Sequence, residues 1–190
     1  MKPFLFLLLT LLPLHAQTGD KLVASARKQI GVTLYYDSHY TTLEYPNGDV
    51  PSDRGVCTDV VIRAMRDGLS KDLQKLVHED MAGNFSAYPK DWGLSKPDKN
   101  IDHRRVPNLK TWLKRQGWQL PLPAPNDSAK FLPGDIVTCT VPPNLPHVMI
   151  VSDRKTDGGV PLVIHNIGGG AAEQDMLFNF PLTGLYRMKP

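Results

Sequence analysis

The sequence predicts an α+β fold built as a single domain. Three observations carry this expectation. Apolar residues three and four apart dominate the first two thirds of the chain. Short extended runs separated by turn residues follow Lys130. No repeat or composition break divides the two regions. Helices first and an antiparallel meander after them is the α+β layout.

The chain opens with MKPFLFLLLTLLPLHA. Lys2 precedes an apolar run from Pro3 to Leu14, broken only by Thr10, and the small residue Ala16 suits cleavage. Such a run is too short to span a bilayer, which takes about 20 apolar residues. It has the pattern of a secretory signal. The expected organisation is a signal peptide at residues 1–16 and one domain over 17–190, periplasmic or secreted, with no stable membrane span after cleavage. That length supports a hydrophobic core without a disulfide framework. The formal charge is +3, and only Lys2 leaves with the signal. No basic run, zinc-finger spacing or aromatic RNA-binding motif is present, so nucleic acid is not an expected partner. Composition sets no oligomeric state.

The elements follow in order. Asp20 caps a helix to Ile30, with Leu22, Val23, Ala26 and Ile30 on one stripe and Gly31 ending it. Val32–Tyr36 reads as extended, then 37–55 as a turn-rich loop. A second helix begins close to Cys57 and ends near Gly68, its stripe formed by Val60, Val61, Ala64 and Met65. A third, from Ser70 to about Asn84, places Leu73, Leu76, Val77 and Met81 inward. The stretch from Phe85 to Arg105 is charged and broken by Pro89 and Pro97; loops of this length are often functional. Pro107 opens a fourth helix closed by Gly117. Strands are expected at Ile136–Val141, His147–Ser152, Leu162–Ile167 and Leu185–Met188, and Gly168-Gly169-Gly170 as a turn.

Three residues stand out chemically. Cys57 lies at a predicted helix start, in RGVCTDV; His147 opens a strand, in PHVMIV; His165 lies on the next, in VIHNIG. A helix amino terminus carries partial positive charge, which favours a thiolate, and a neighbouring imidazole favours it further. These residue types support acyl transfer: a sulfur nucleophile, an imidazole base, and a polar group orienting that base. His165 and Asn166 both qualify as the orienter. They point to opposite sheet faces, and a one-residue register shift exchanges them. Tyr36 and Tyr45 are candidate oxyanion donors beside the Cys57 backbone N–H. Two cysteines in an exported chain make one Cys57–Cys139 disulfide the expectation from counting alone. The position of Cys57 argues instead for a free thiol. One Cys and two His could also hold zinc, but no short paired-ligand motif or fourth ligand is evident, so no metal or cofactor is expected.

The combination of Cys at a helix start, PGDIV opening a strand, HVMIV, and a strand ending in IH resembles the NlpC-type branch of papain-like cysteine peptidases. More narrowly, YPNGDVP, GVCTDVVIRA, LVHEDM, NIDHRRVPNL, LPGDIV, HVMIVSD and IHNIGGG resemble the YijF-like family of exported bacterial proteins, a domain of unassigned function in that superfamily. The matching stretches run from about Tyr45 to Gly170. The resemblance implies a papain-like fold with a helical amino-terminal half and the nucleophile at a helix start packed on an antiparallel sheet. It implies Cys57 as nucleophile, His147 as base and His165 as orienter, acting on amide bonds in peptidoglycan stem peptides or a related cell-wall peptide. It also makes Cys139 a packing residue, since relatives carry a bulky aromatic there. Two departures matter. The nucleophile segment reads VCTD where DCSG is usual, which places Asp59 near the active centre. The run Asp102-His103-Arg104-Arg105 has no counterpart in the general peptidase pattern. Asp59 and this run are candidate substrate-binding residues, because arginine forks match carboxylates. The alternatives are a non-catalytic wall-binding or assembly module, and a thiol acyltransferase on the same triad.

Overall fold

The computed structural model describes residues 14–125 and 127–189. Residues 1–13, most of the expected signal peptide, lie outside these. Helix α1 spans Leu14–Arg27, so it starts before the expected cap at Asp20 and runs through the expected cleavage point after Ala16. It also ends before Ile30. Backbone bonds from Gln29 to Ala26 and from Ile30 to Arg27 tighten the chain into turns, and Ile30 is exposed rather than part of the apolar stripe.

Two short strands follow, β1 (Tyr35–Tyr36) and β2 (Arg54–Gly55), paired in parallel. Helix α2 is Cys57–Leu69, and Ser70 takes a left-handed conformation that ends it. Ser70 therefore closes α2 rather than opening the next helix. Helix α3, Leu73–Gly83, is capped instead by Asp72, whose side chain accepts from the Lys75 N–H. Helix α4 is Val106–Arg115 with Pro107 in its first turn. Among the described residues, none of these helices is long and apolar enough to cross a membrane.

The remaining strands are β3 (Gln119–Leu120), β4 (Ile136–Val141), β5 (Leu145–Lys155), β6 (Pro161–Asn166), β7 (Ala171–Gln174) and β8 (Leu182–Tyr186). They form one antiparallel sheet in the order β3-β8-β4-β5-β6-β7. Alternation along the strands gives the sheet two buried faces. Ile136, Val148, Ile150 and Ile164 pack against α1, α2 and α4 through Leu22, Val61, Met65 and Leu109. Val137, Met149, Val151 and Val163 face the other way, onto Phe131 and Leu177. That second layer comes from irregular segments with no periodicity to announce it. β3 and β7 were also not expected: two and four residues are too few to show alternation.

Candidate active site

Cys57 is the first residue of α2, and Val56 precedes it as cap. Valine has no side-chain acceptor, so it does not occupy the free amides of the first turn. Asp59 instead takes the Val56 backbone N–H at 2.7 Å and shapes the turn into the helix. Thr58 donates its hydroxyl to the Arg104 carbonyl. Behind α2, buried Arg63 binds Asp49, the Thr33 hydroxyl and the carbonyls of Val50, Pro51 and Arg54. The loop that delivers Cys57 is thus fixed from its far side.

The sheet meets the thiol at Val148 of β5. The pairing of β5 with β6 is regular at Ile150↔Ile164 and Val151↔Val163. Towards His147 the strands are joined instead through side chains. His147 Nε2 lies 2.8 Å from His165 Nδ1, and His165 Nε2 lies 3.0 Å from Gln174 Oε1 on β7. Read from Gln174, the protons order themselves: its carbonyl accepts from His165 Nε2, so His165 Nδ1 accepts from His147 Nε2. That leaves Nδ1 of His147 unprotonated, as a base requires. The backbone amides of Val148, next to His147, and of Thr58 lie near the Cys57 sulfur and favour its thiolate.

Cys57 and Cys139 are both buried free thiols, not a disulfide. The thiol is not, however, the depressed group that the helix start predicts. Burial pushes it up to about 12, outweighing the two backbone donors. Burial likewise holds His147 down at about 3, with His165 adding to the effect. Thiol and imidazole are thus both held in their neutral forms.

The β5–β6 register resolves the choice between His165 and Asn166 as a neighbour of His147. Asn166 points to the helix side, where its amide donates to the carbonyls of Gly55 at 3.0 Å and Tyr35 at 3.3 Å. It clamps the β1–β2 pair beside Cys57 and does not touch the imidazoles. Tyr36 lines a pocket of about 240 Å³ with Cys57, Trp92 and Arg105. Burial and the nearby Cys57 and Asp59 raise its hydroxyl to about 12, so it stays a donor at neutral pH. Tyr45 does not reach this pocket. The loop carries it to α3, where it stacks edge-on against His78.

The charged run departs most from expectation. Asp102–Arg104 form a 3-10 turn, and all three residues are buried. Arg104 forms a two-pronged pair with Asp59, Nε to Oδ1 and Nη2 to Oδ2, each at 2.9 Å. It also donates to the carbonyls of His39 and Asp37. Both members of the pair are therefore committed to each other rather than free for a ligand. Asp102 accepts from the Asp98 N–H and packs against α3 and α4, as does His103; neither lines the pocket. Burial raises Asp102 to about 6 and lowers His103 to about 4. Arg105 alone keeps its guanidinium uncommitted at the pocket wall, over the Trp92 ring at 4.1 Å. Sequence reasoning missed Gln174 and Trp92.

Among the described residues no group of three His, Cys, Asp or Glu is arranged to hold a metal ion.

Comparison with known proteins gives a consistent picture. The family described as domain of unknown function DUF1287 matches residues 23–188. The uncharacterized protein YijF of Escherichia coli (strain K12) is 52% identical over 178 residues, covering 94% of this chain and 85% of that protein. An N-acetylmuramoyl-L-alanine amidase from Bacteroides uniformis, known from two crystal structures, superimposes with a TM-score of 0.54 over 92% of this chain and 100% of its own. Sequence identity is 16% in one and 13% in the other. The α+β fold implied by the sequence, helices packed on an antiparallel sheet, is thereby found and is shared with that amidase.

Proposed function

The chain belongs to the DUF1287 family, and from that premise we propose that it is an exported cysteine amidase or endopeptidase that cleaves amide bonds in cell-wall peptides. The observation that carries this reading is the line from Gln174 through His165 to His147, whose chain neighbour Val148 lies near the Cys57 sulfur. The amidase-type fold supports a wall peptide as substrate, and the amino-terminal sequence supports action in the periplasm or outside the cell, with residues 17–190 as the working domain.

In this reading the Cys57 sulfur attacks the amide carbonyl carbon while Nδ1 of His147 takes the thiol proton. The Tyr36 hydroxyl and the Cys57 backbone N–H face the developing oxyanion. Imidazolium Nδ1–H then protonates the leaving amine as the C–N bond breaks, leaving a thioester on Cys57. Water, deprotonated by the same nitrogen, releases the acid and restores the thiol. His165 holds His147 in the tautomer with Nδ1 free, and Gln174 does the same for His165. With thiol and imidazole both neutral at rest, proton transfer accompanies attack rather than preceding it.

Acid-quenching the protein during incubation with wall peptides, then mapping adducts by mass spectrometry, tests the proposal. An acyl adduct on Cys57 and none on Cys139 is the expected result. Cleaved peptides without any adduct-forming role for Cys57 would argue for other chemistry. Bound, uncleaved peptides would favour a wall-binding module, which the buried, neutral thiol would also suit.

A further inference from the structure

A second pocket adjoins the first. It is about 420 Å³ and is lined by Lys110, Thr111 and Lys114 from α4, with Cys139, Thr140 and Thr183 from the sheet. The two pockets share Pro107 and Pro146 as walls, so they lie side by side along one face. Cys57 lies in the first part, and Pro146, the residue before His147, stands where the two meet. Residues 107, 110, 111 and 114 fall at helical spacing, so one face of α4 floors the second part, while Leu109, Trp112 and Leu113 of the same helix are buried in the core.

The charge along this face is one-sided. Arg104, Arg105, Lys110 and Lys114 line it, and no carboxylate does. Arg104 is neutralised by Asp59. The other three make no ion pair among the described residues. Arg105 goes further: its Nη1 is buried with no hydrogen-bond partner, although the ring of Trp92 fixes the guanidinium plane. A buried, unpaired charged donor is costly, and such groups ordinarily have partners. Asp102 and Asp98 are the acids nearest Arg105, and neither forms an ion pair with it; the Asp98 carboxylate takes the Tyr40 hydroxyl and the Asn100 N–H. A ligand carboxylate in the pocket would meet the nitrogens of the guanidinium that are not enclosed, Nε and Nη2.

We infer that this face selects an acidic peptide with carboxylates on both sides of the scissile amide, one held by Arg105 and the other by Lys110 and Lys114. This deepens the proposed function and rests on it for the identity of the reacting bond. The two ends differ in kind. Arg105 is oriented, partly buried and stacked, so it acts through directed hydrogen bonds. The lysines are mobile point charges in a more open pocket and act through attraction that salt screens.

The test separates binding from cleavage by using the Cys57→Ala protein, with calorimetric titration of a synthetic stem peptide bearing free carboxylates and of the same peptide with every carboxylate amidated. The free peptide is expected to bind at least tenfold more tightly. Arg105→Gln should weaken it by roughly ten- to a hundredfold and leave the amidated peptide unaffected. Arg105→Lys should restore only part of the loss. Lys110→Gln with Lys114→Gln should cost less, about three- to tenfold, and the loss should vanish at high salt. Equal affinity for the two peptides would overturn the inference, as would variants that weaken both alike. A melting temperature lowered by Arg105→Gln with discrimination intact would assign that residue to packing and also overturn it. Discrimination in a native protein that cleaves nothing would retire the proposed reaction and leave the specificity of this face standing.

Discussion

Arg104 and Arg105 are neighbours in sequence and opposites in structure. Arg104 is buried in a two-pronged pair with Asp59, and Arg105 stands at the pocket wall with a nitrogen unpaired. The same contrast divides the two halves of the site. Cys57, His147 and His165 sit on regular elements. The 98–105 segment is held by a 3-10 turn, an ion pair and buried polar groups. A constellation on a helix start and two strands is rigid by construction. A charged segment takes its shape from the partners it finds.

The largest effects should come from the regular half. Cys57→Ala and His147→Ala are each expected to lower hydrolysis by about 10⁴-fold or more, because a nucleophile and its base act as a unit, while the melting temperature changes little. Either variant retaining native rates would remove it from the chemistry.

The irregular half should respond in stability. Breaking one side of a buried ion pair costs about 3–5 kcal/mol, so Arg104→Ala should lower the melting temperature by roughly 6–20 °C. Asp59→Ala should do the same, and the double variant should lose less than the sum. Arg105→Gln should leave melting almost unchanged. Thermal denaturation of the four proteins sharpens the contrast between the two arginines, and equal losses at both positions would erase it.

What the sequence disclosed follows the same division. The second helix start at Cys57 and the β4 strand from Ile136 were legible because periodicity and turn residues mark them. The neighbour of His147 was not, since one residue of register decides between His165 and Asn166, and a single strand carries no register. Asp102-His103-Arg104-Arg105 read as a substrate-binding run because arginine forks match carboxylates. Arg104 is committed instead to Asp59, a residue far away in sequence, and Asp102 and His103 pack against α3 and α4. Gln174 was hidden because its strand is four residues long.

A graded series tests the line behind His147. His165→Ala should lower kcat by about a hundredfold and Gln174→Ala by about tenfold or less, since each acts on the base only through the next group. Asn166→Ala should instead lower the melting temperature, by freeing the carbonyls of Gly55 and Tyr35. Rates and melting measured on the same three variants would expose a reversed order.

The smallest effect is a pH slope. His103 and His147 are protonated in the unfolded chain below about 6.5 but in the folded protein only below about 4 and 3. Each therefore makes stability fall as pH drops from about 6.5 towards those values. Asp102, raised to about 6, acts in the opposite direction: its buried charge costs stability as pH rises from about 4 to 6. Between these limits Asp102 offsets about 1.4 kcal/mol per pH unit of the slope set by the histidines, to which His165, also held down by burial, adds. Asp102→Asn should steepen the slope by about that amount in urea titrations between pH 4 and 6, and an unchanged slope would show that Asp102 ionises freely.

The central claim is that Cys57 cleaves an amide in a wall peptide. Digesting purified muropeptides with the native protein and with Cys57→Ala, and identifying the products by mass spectrometry, tests it most directly. The account predicts a new amine and a new carboxylate, differing from the substrate by one water, from the native protein and none from the variant. Identical product mixtures from the two proteins would contradict it.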